Sequence, residues 1–426
     1  MFVSDNIVVC DNNWEGMKLL SCFFLEGLEG MMMKLFMVMM VVMGGWVREW
    51  RVMANAAVSV VQGDNVKPFS LLCKIYNVAN HPPIKPVNTK EYQKIVDDIN
   101  ALSTAANGKE RVNTQSEETK SAQTQLIGVT HEARKLLGEI KKVNPEGEVE
   151  RARNAFNQVI FGKNGKEDLS QRGLELEPRR MTACGSKEQV GTSAGKNLIV
   201  DFFCLCAEYN ENSERVAKVC GVSLGSGDGT GWGGTKLYPI ATMWNEVKNG
   251  CETFSKQGVT STQGGHFLYR EFLDTISEGG KIKVNNSGTV PKHGMLGTAV
   301  SHGGNSDFNC NGKASVMRIG SAGVCVFYGN HHQEENIDWL KKFKAGLQLI
   351  DKLNTETASW QHQLTTLLNR ARDLYEKVKA DTQLENEEDT DDSPLAQHPN
   401  PDENENADST TRSQRHSLLA WALLLQ

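Results

Sequence analysis

The sequence predicts a mainly α-helical chain: a long antiparallel helical hairpin, or coiled-coil rod, with a disulfide-stapled, glycine-rich irregular lobe inserted between its helices. Three observations predict it. Two proline-free stretches, about 89–143 and 337–378, carry apolar residues at alternating steps of three and four. The stretch between them, about 184–330, holds seven of the chain's cysteines and repeated runs of glycine. After it all, 381–408 is acidic, carries three prolines and has almost nothing to bury.

The amino-terminal part sets the compartment. Residues 31–46 read MMMKLFMVMMVVMGGW, one lysine followed by an unbroken apolar run. The run Leu35–Met43 is shorter than the roughly 20 residues a spanning helix needs and suits a signal-peptide core. Ala54-Asn55-Ala56 fits the small-x-small cleavage pattern, so the cut is expected after Ala56. The signal peptide is then 31–56, and 1–30 read as an overextended N-terminus ahead of a start at Met31, Met32 or Met33. A short membrane anchor or a buried strand is the alternative. Cleavage removes Cys10 and Cys22 and leaves Cys73, Cys184, Cys204, Cys206, Cys220, Cys251, Cys310 and Cys325. An even set in a secreted chain reads as disulfides, and the sequence leaves their pairing open.

In the first helical stretch the seam runs Tyr92, Ile95, Ile99, Leu102 and Ala106, then Leu126, Val129, Ala133, Leu136, Ile140 and Val143. That is a heptad pattern on a helix of about fifty residues. A polar middle with Asn113, Ser116, Lys120 and Gln123 interrupts it. Asn144-Pro145 ends it, and Glu148–Phe161 continues the helical character. The second stretch carries Leu340, Phe343, Leu347 and Ile350, then Trp360, Leu364, Leu367, Ala371, Leu374 and Val378. Neither helix is apolar all round, so each needs a partner. The simplest packing sets one against the other; packing on separate globular parts is the alternative.

GSGDGTGWGG (225–234) and SHGGNSDFNCNG (301–312) exclude helix, so short strands, turns and a few helices fill the lobe. Asn285-Asn286-Ser287 makes Asn285 a candidate N-glycan acceptor. The net charge of −6 gives no reason to expect nucleic-acid binding, which usually needs a basic face. Gly229-x-Gly231-x-x-Gly234 matches a dinucleotide fingerprint as text, but no strand precedes it and no periodic helix follows. VGTSAGKN (190–197) departs from a phosphate loop in glycine spacing and in having Asn197 after the lysine. Cys204-Leu205-Cys206 with His331 and His332 has too short a cysteine spacing for structural zinc. No motif supports catalysis, and no cofactor or metal is implied.

The segment 406–426 reads NADSTTRSQRHSLLAWALLLQ. Its apolar part, Leu418–Leu425, is too short to span a bilayer. Small residues, a spacer and a terminal apolar run match a glycosylphosphatidylinositol (GPI) attachment signal. Asp408 is the candidate attachment residue, with Asn406 and Ser409 as alternatives, and 409–426 would be removed. Residues 381–408 then form an acidic disordered stalk.

Together the signal peptide with the early Cys73, the heptad stretches, DFFCLCAEY (201–209) in the lobe and the tail resemble the variant surface glycoproteins of African trypanosomes. The likeness is to the kind with a b-type N-terminal domain, which here covers 57–380. No cysteine follows Cys325, which resembles the Trypanosoma congolense branch. The resemblance implies a homodimeric, non-enzymatic coat antigen on the extracellular face of the plasma membrane. It implies GPI anchoring, shielding of the membrane, antigenic variation and recognition by host antibodies. The alternative on the same scaffold is a low-copy receptor for a host serum protein such as transferrin.

Overall fold

The structure is a computed structural model that describes residues 58–108, 116–227, 230–234, 237–254, 259–285, 287–302, 306–316, 320–331 and 333–388. Its helices are α1 Val66–Asn80, α2 Thr89–Asn107, α3 Glu117–Val143, α4 Pro145–Phe161, α5 Arg180–Cys184, α6 Leu198–Cys206, α7 Ile240–Phe254, α8 Thr262–Glu278, α9 Gln333–Asn336 and α10 Asp338–Glu388. Its strands are β1 Gly231–Trp232, β2 Leu237–Tyr238, β3 Gly280–Val284, β4 Gly288–Lys292, β5 Met295–His302 and β6 Gly320–Phe327. Among the described residues the chain is mainly helical, with four disulfides.

The stretch 89–143 is not one helix. It forms α2 and α3, which fold back on each other in antiparallel fashion. Gln123 Nε2 donates to the Ala106 carbonyl at 3.1 Å, Arg134 Nε to Asn100 Oδ1 at 2.9 Å and Lys141 Nζ to Gln93 Oε1 at 2.8 Å. α2 ends at Asn107 and α3 begins at Glu117, so Lys120 and Gln123 of the polar middle lie inside α3. Ser116 restarts the chain as the N-cap of α3, its Oγ accepting from Thr119 N. The same three-four spacing appears on both arms because both face α10. Tyr92, Ile99, Leu126, Ala133 and Ile140 form one core with Trp360, Leu364, Ala371 and Val378. Val143, expected in the seam, is 37% exposed because α3 ends there.

Asn144 does two things at once. Its left-handed backbone (φ 53°) ends α3, and its side chain accepts from Gly147 N to cap α4, with Pro145 in the first turn. The chain thus continues in the same sense beside α10. Phe156 of α4 packs edge-on against Phe343 of α10, and farther along Tyr92 of α2 meets Trp360.

The last helix runs 51 residues, to Glu388, rather than stopping at 378. It therefore enters the segment read as a disordered stalk from 381. Ten proline-free residues follow Val378, three of them Glu with one each of Lys, Ala, Gln and Leu; such residues extend a helix already nucleated even where no apolar seam continues.

The second core is larger. Its sheet has the order β4-β3-β5-β6, with β3 and β5 parallel and the other pairs antiparallel. β5 is buried along its length up to His302, as a central strand covered on both faces must be. Helix α6 lies close on the sheet. Gly297 (φ 94°) permits that approach, since a Cβ there would come within 2.5 Å of Val324 O and 2.9 Å of the Leu205 side chain. The region read as an irregular lobe also contains α7 and α8, helices of 15 and 17 residues. Nor is that core confined to 184–330. Phe69 of α1 packs on Phe202 and Phe254, and the start of α10 contributes Trp339, Phe343 and Leu347.

Candidate functional site

Helix α6, LIVDFFCLC, is the hub of this core, and all nine of its residues are buried. Asn197 starts it: its Oδ1 accepts from Val200 N at 2.9 Å while its Nδ2 donates to the Leu174 carbonyl at 2.8 Å. Residues two apart on a helix point to opposite sides, about 200° around the axis. Cys204 and Cys206 accordingly reach different partners, Cys184 on α5 and Cys220. Cys73 of α1 is bonded to Cys251 of α7, and Cys310 to Cys325 of β6. The open pairing among the eight cysteines resolves into these four bonds, all within the larger core.

Two buried charges sit at the ends of α6. Asp201, in its first turn, is fully buried and accepts three hydrogen bonds. Oδ1 takes Gly195 N at 2.8 Å; Oδ2 takes Tyr328 OH at 2.8 Å and Trp339 Nε1 at 2.6 Å. Burial outweighs those donors and pushes its carboxyl up to about 7. Burial, together with the adjacent Asp201, raises the Tyr328 hydroxyl well above the usual phenol range.

Arg180 answers at the other end. Its guanidinium donates to the carbonyls of Phe203 and Cys204, in the last turn of α6, and to Trp232 O at 3.0 Å. It also stacks over the Trp232 ring at 5.4 Å. Burial lowers Arg180 to about 9. The cation at the last turn suits the negative end of the helix dipole, while at the first turn burial holds the Asp201 carboxyl well above the usual range. Neither charge is open to solvent, so the pair organises the fold rather than acting on a substrate. The sequence reading missed both residues, although one signal was available: Asp201 is the lone charge in an otherwise apolar nine-residue run.

At the surface, His266 Nε2 meets Asp351 Oδ2 at 2.7 Å and joins α8 to α10. Among the described residues, no group of three His, Cys, Asp or Glu is placed to hold a metal ion. Of the fingerprint-like glycines, Gly231 opens the short strand β1 and Gly234 follows it, and Lys196 of the 190–197 stretch pairs with Asp338. Asn285 lies half-buried in the turn after β3, its backbone N–H donating to Ser301 O. The expected cleavage after Ala56 and the expected attachment at Asp408, Asn406 or Ser409 lie outside the described residues, as do the ends of the chain beyond 58 and 388. Among the described residues no helix is long and apolar enough to cross a membrane.

A helical bundle joined to a second core holding four disulfides defines a domain built for an oxidising compartment. A family model described as the trypanosomal VSG domain matches residues 50–125 and 101–367, well over half of the chain. The chain belongs to that family, the trypanosome variant surface glycoproteins with a b-type N-terminal domain. Members are structural surface coat antigens and not enzymes. No curated protein matches the chain.

Proposed function

We propose that this chain is a GPI-anchored coat antigen on the outer face of the trypanosome plasma membrane, where it shields the membrane and varies antigenically. The observation that carries the proposal is the family match over 50–367. The form of the molecule supports it. Helix α10, 51 residues and roughly 75 Å in all, starts within the disulfide-bearing core and leads in sequence to the acidic segment and the GPI-type signal. On this reading α2, α3 and α10 form a rod between the membrane and a head, and host antibodies meet the head. An N-glycan on Asn285, in the β3–β4 turn, adds to the shield.

The molecule acts as a homodimer in this reading. Ile127 on α3 is 53% exposed on the bundle, a large apolar side chain that a second copy would cover. Quantitative surface proteomics of the parent cell tests the coat function. A coat antigen is the dominant surface protein when expressed; a low copy number beside another, abundant coat would overturn the proposal.

A further inference from the structure

A basic cleft of about 640 Å³ opens where the end of α4, the turn before α6 and the first turns of α10 meet. Four lysines line it, Lys163, Lys196, Lys341 and Lys342, against the two carboxylates Glu175 and Asp338. Asp338 serves two of the lysines at once: Oδ2 lies 2.8 Å from Lys196 Nζ and Oδ1 lies 2.7 Å from Lys341 Nζ. Neither Lys163 nor Lys342 has a carboxylate within ion-pair distance among the described residues, and both are exposed. The cleft thus carries an excess of positive charge on a chain whose net charge is −6.

The backbone around the cleft is fixed by close contacts. Gly162 (φ 78°) terminates α4, and Gly195 (φ 76°) presses against the junction of α9 and α10, where a Cβ would come within 2.9 Å of both Asn336 O and Ile337 Cα. Trp339 N donates to Gly195 O at 3.1 Å. The backbone that carries these lysines is therefore set before any ligand arrives, which lowers part of the cost of binding.

We propose that this cleft binds a small saccharide bearing sulfate or phosphate esters. Lysine ammoniums are compact point charges and suit a tetrahedral oxyanion, whereas flat bidentate recognition of a carboxylate favours arginine. Among the described residues no arginine lines the cleft. Its volume lies in the range of small-ligand sites, so it takes a sugar ring with its ester and not only a bare ion. Asp338 and Glu175 offer acceptors for sugar hydroxyls.

Calorimetry on the purified full-length protein at physiological salt tests the proposal, with three probes: a sulfated heparin disaccharide, glucose 1-phosphate and an uncharged disaccharide. Binding of either charged probe but not the neutral one is expected, and the tighter of the two identifies the ester. The Lys163→Gln/Lys342→Gln variant should weaken that binding roughly tenfold, because it removes two unpaired cations, with the melting temperature unchanged. The Lys90→Gln/Lys281→Gln variant should bind as the wild type does. Equal losses in the two variants, equal binding of the neutral sugar, or no binding of either charged probe would overturn the proposal.

Discussion

Trp339 donates its indole N–H to Asp201 Oδ2 at 2.6 Å, tying the first turn of α10 to the buried helix α6. The long helix is thereby fixed to the disulfide-bearing core at a polar joint in otherwise apolar surroundings. A buried polar group of this kind is costly unless every bond is made, and here three donors converge on one carboxyl.

Asp201→Asn should therefore lower stability by about 2–4 kcal/mol. The amide replaces one acceptor oxygen with an NH₂ group, which would face a donor instead of accepting from it. Denaturant unfolding followed by circular dichroism measures the loss; a change under about 0.5 kcal/mol would show that the joint carries little.

The same residue sets a pH dependence. Burial holds its folded-state value at about 7, above that of an unfolded aspartate. The fold therefore favours the protonated form. Its contribution is complete below the ordinary carboxylate range, declines as pH rises and is gone above about 7. Relative to Asp201→Asn, the wild-type melting temperature should fall as pH rises from about 4 to about 7. Parallel curves for the two proteins would contradict this.

The disulfides should differ in weight. Cys73–Cys251 spans 178 residues, whereas Cys206–Cys220 spans 14. By chain entropy, replacing the first pair with serines costs about 5 kcal/mol and the second about 3 kcal/mol. Guanidinium midpoints of the two double variants give the order directly.

The two hydrophobic cores should open separately. Leu364 is fully buried among α2, α3 and α10. Leu364→Ala should cost about 2–5 kcal/mol. Hydrogen exchange should then speed up across α2, α3 and the distal part of α10, while α6 and β5, in the other core, stay protected.

If the exposed face of α3 pairs with a second copy, Ile127→Lys should convert the dimer to a monomer in light scattering. Its melting temperature should barely move, since the side chain is 53% exposed in the single chain. A dimer that survives the change would put the interface elsewhere.

Much of the bundle was legible. The three-four spacing of Leu126 to Ile140 and of Trp360 to Val378 reports a buried helical face wherever the partner lies. It could not report the reversal between α2 and α3, because a helix that turns back onto the same partner keeps the same spacing. The local signs were Gly108 just past α2 and the capping Ser116. The end of α10 was hidden for the opposite reason: beyond Val378 the apolar spacing stops in the sequence while helix-favouring residues continue. The eight cysteines could be counted but not paired, because pairing depends on which elements meet. Only once α6 is known to be a helix do Cys204 and Cys206 have to face apart. Arg180 was hidden altogether; its value lies in carbonyls supplied by α6 and β1.

The central claim is a lipid-anchored coat, and one treatment of living cells tests it most directly. Phosphatidylinositol-specific phospholipase C should release the intact protein into the medium, ending at Asn406, Asp408 or Ser409 with the anchor's remnant attached. Protein that stays on the membrane after complete digestion would contradict the account.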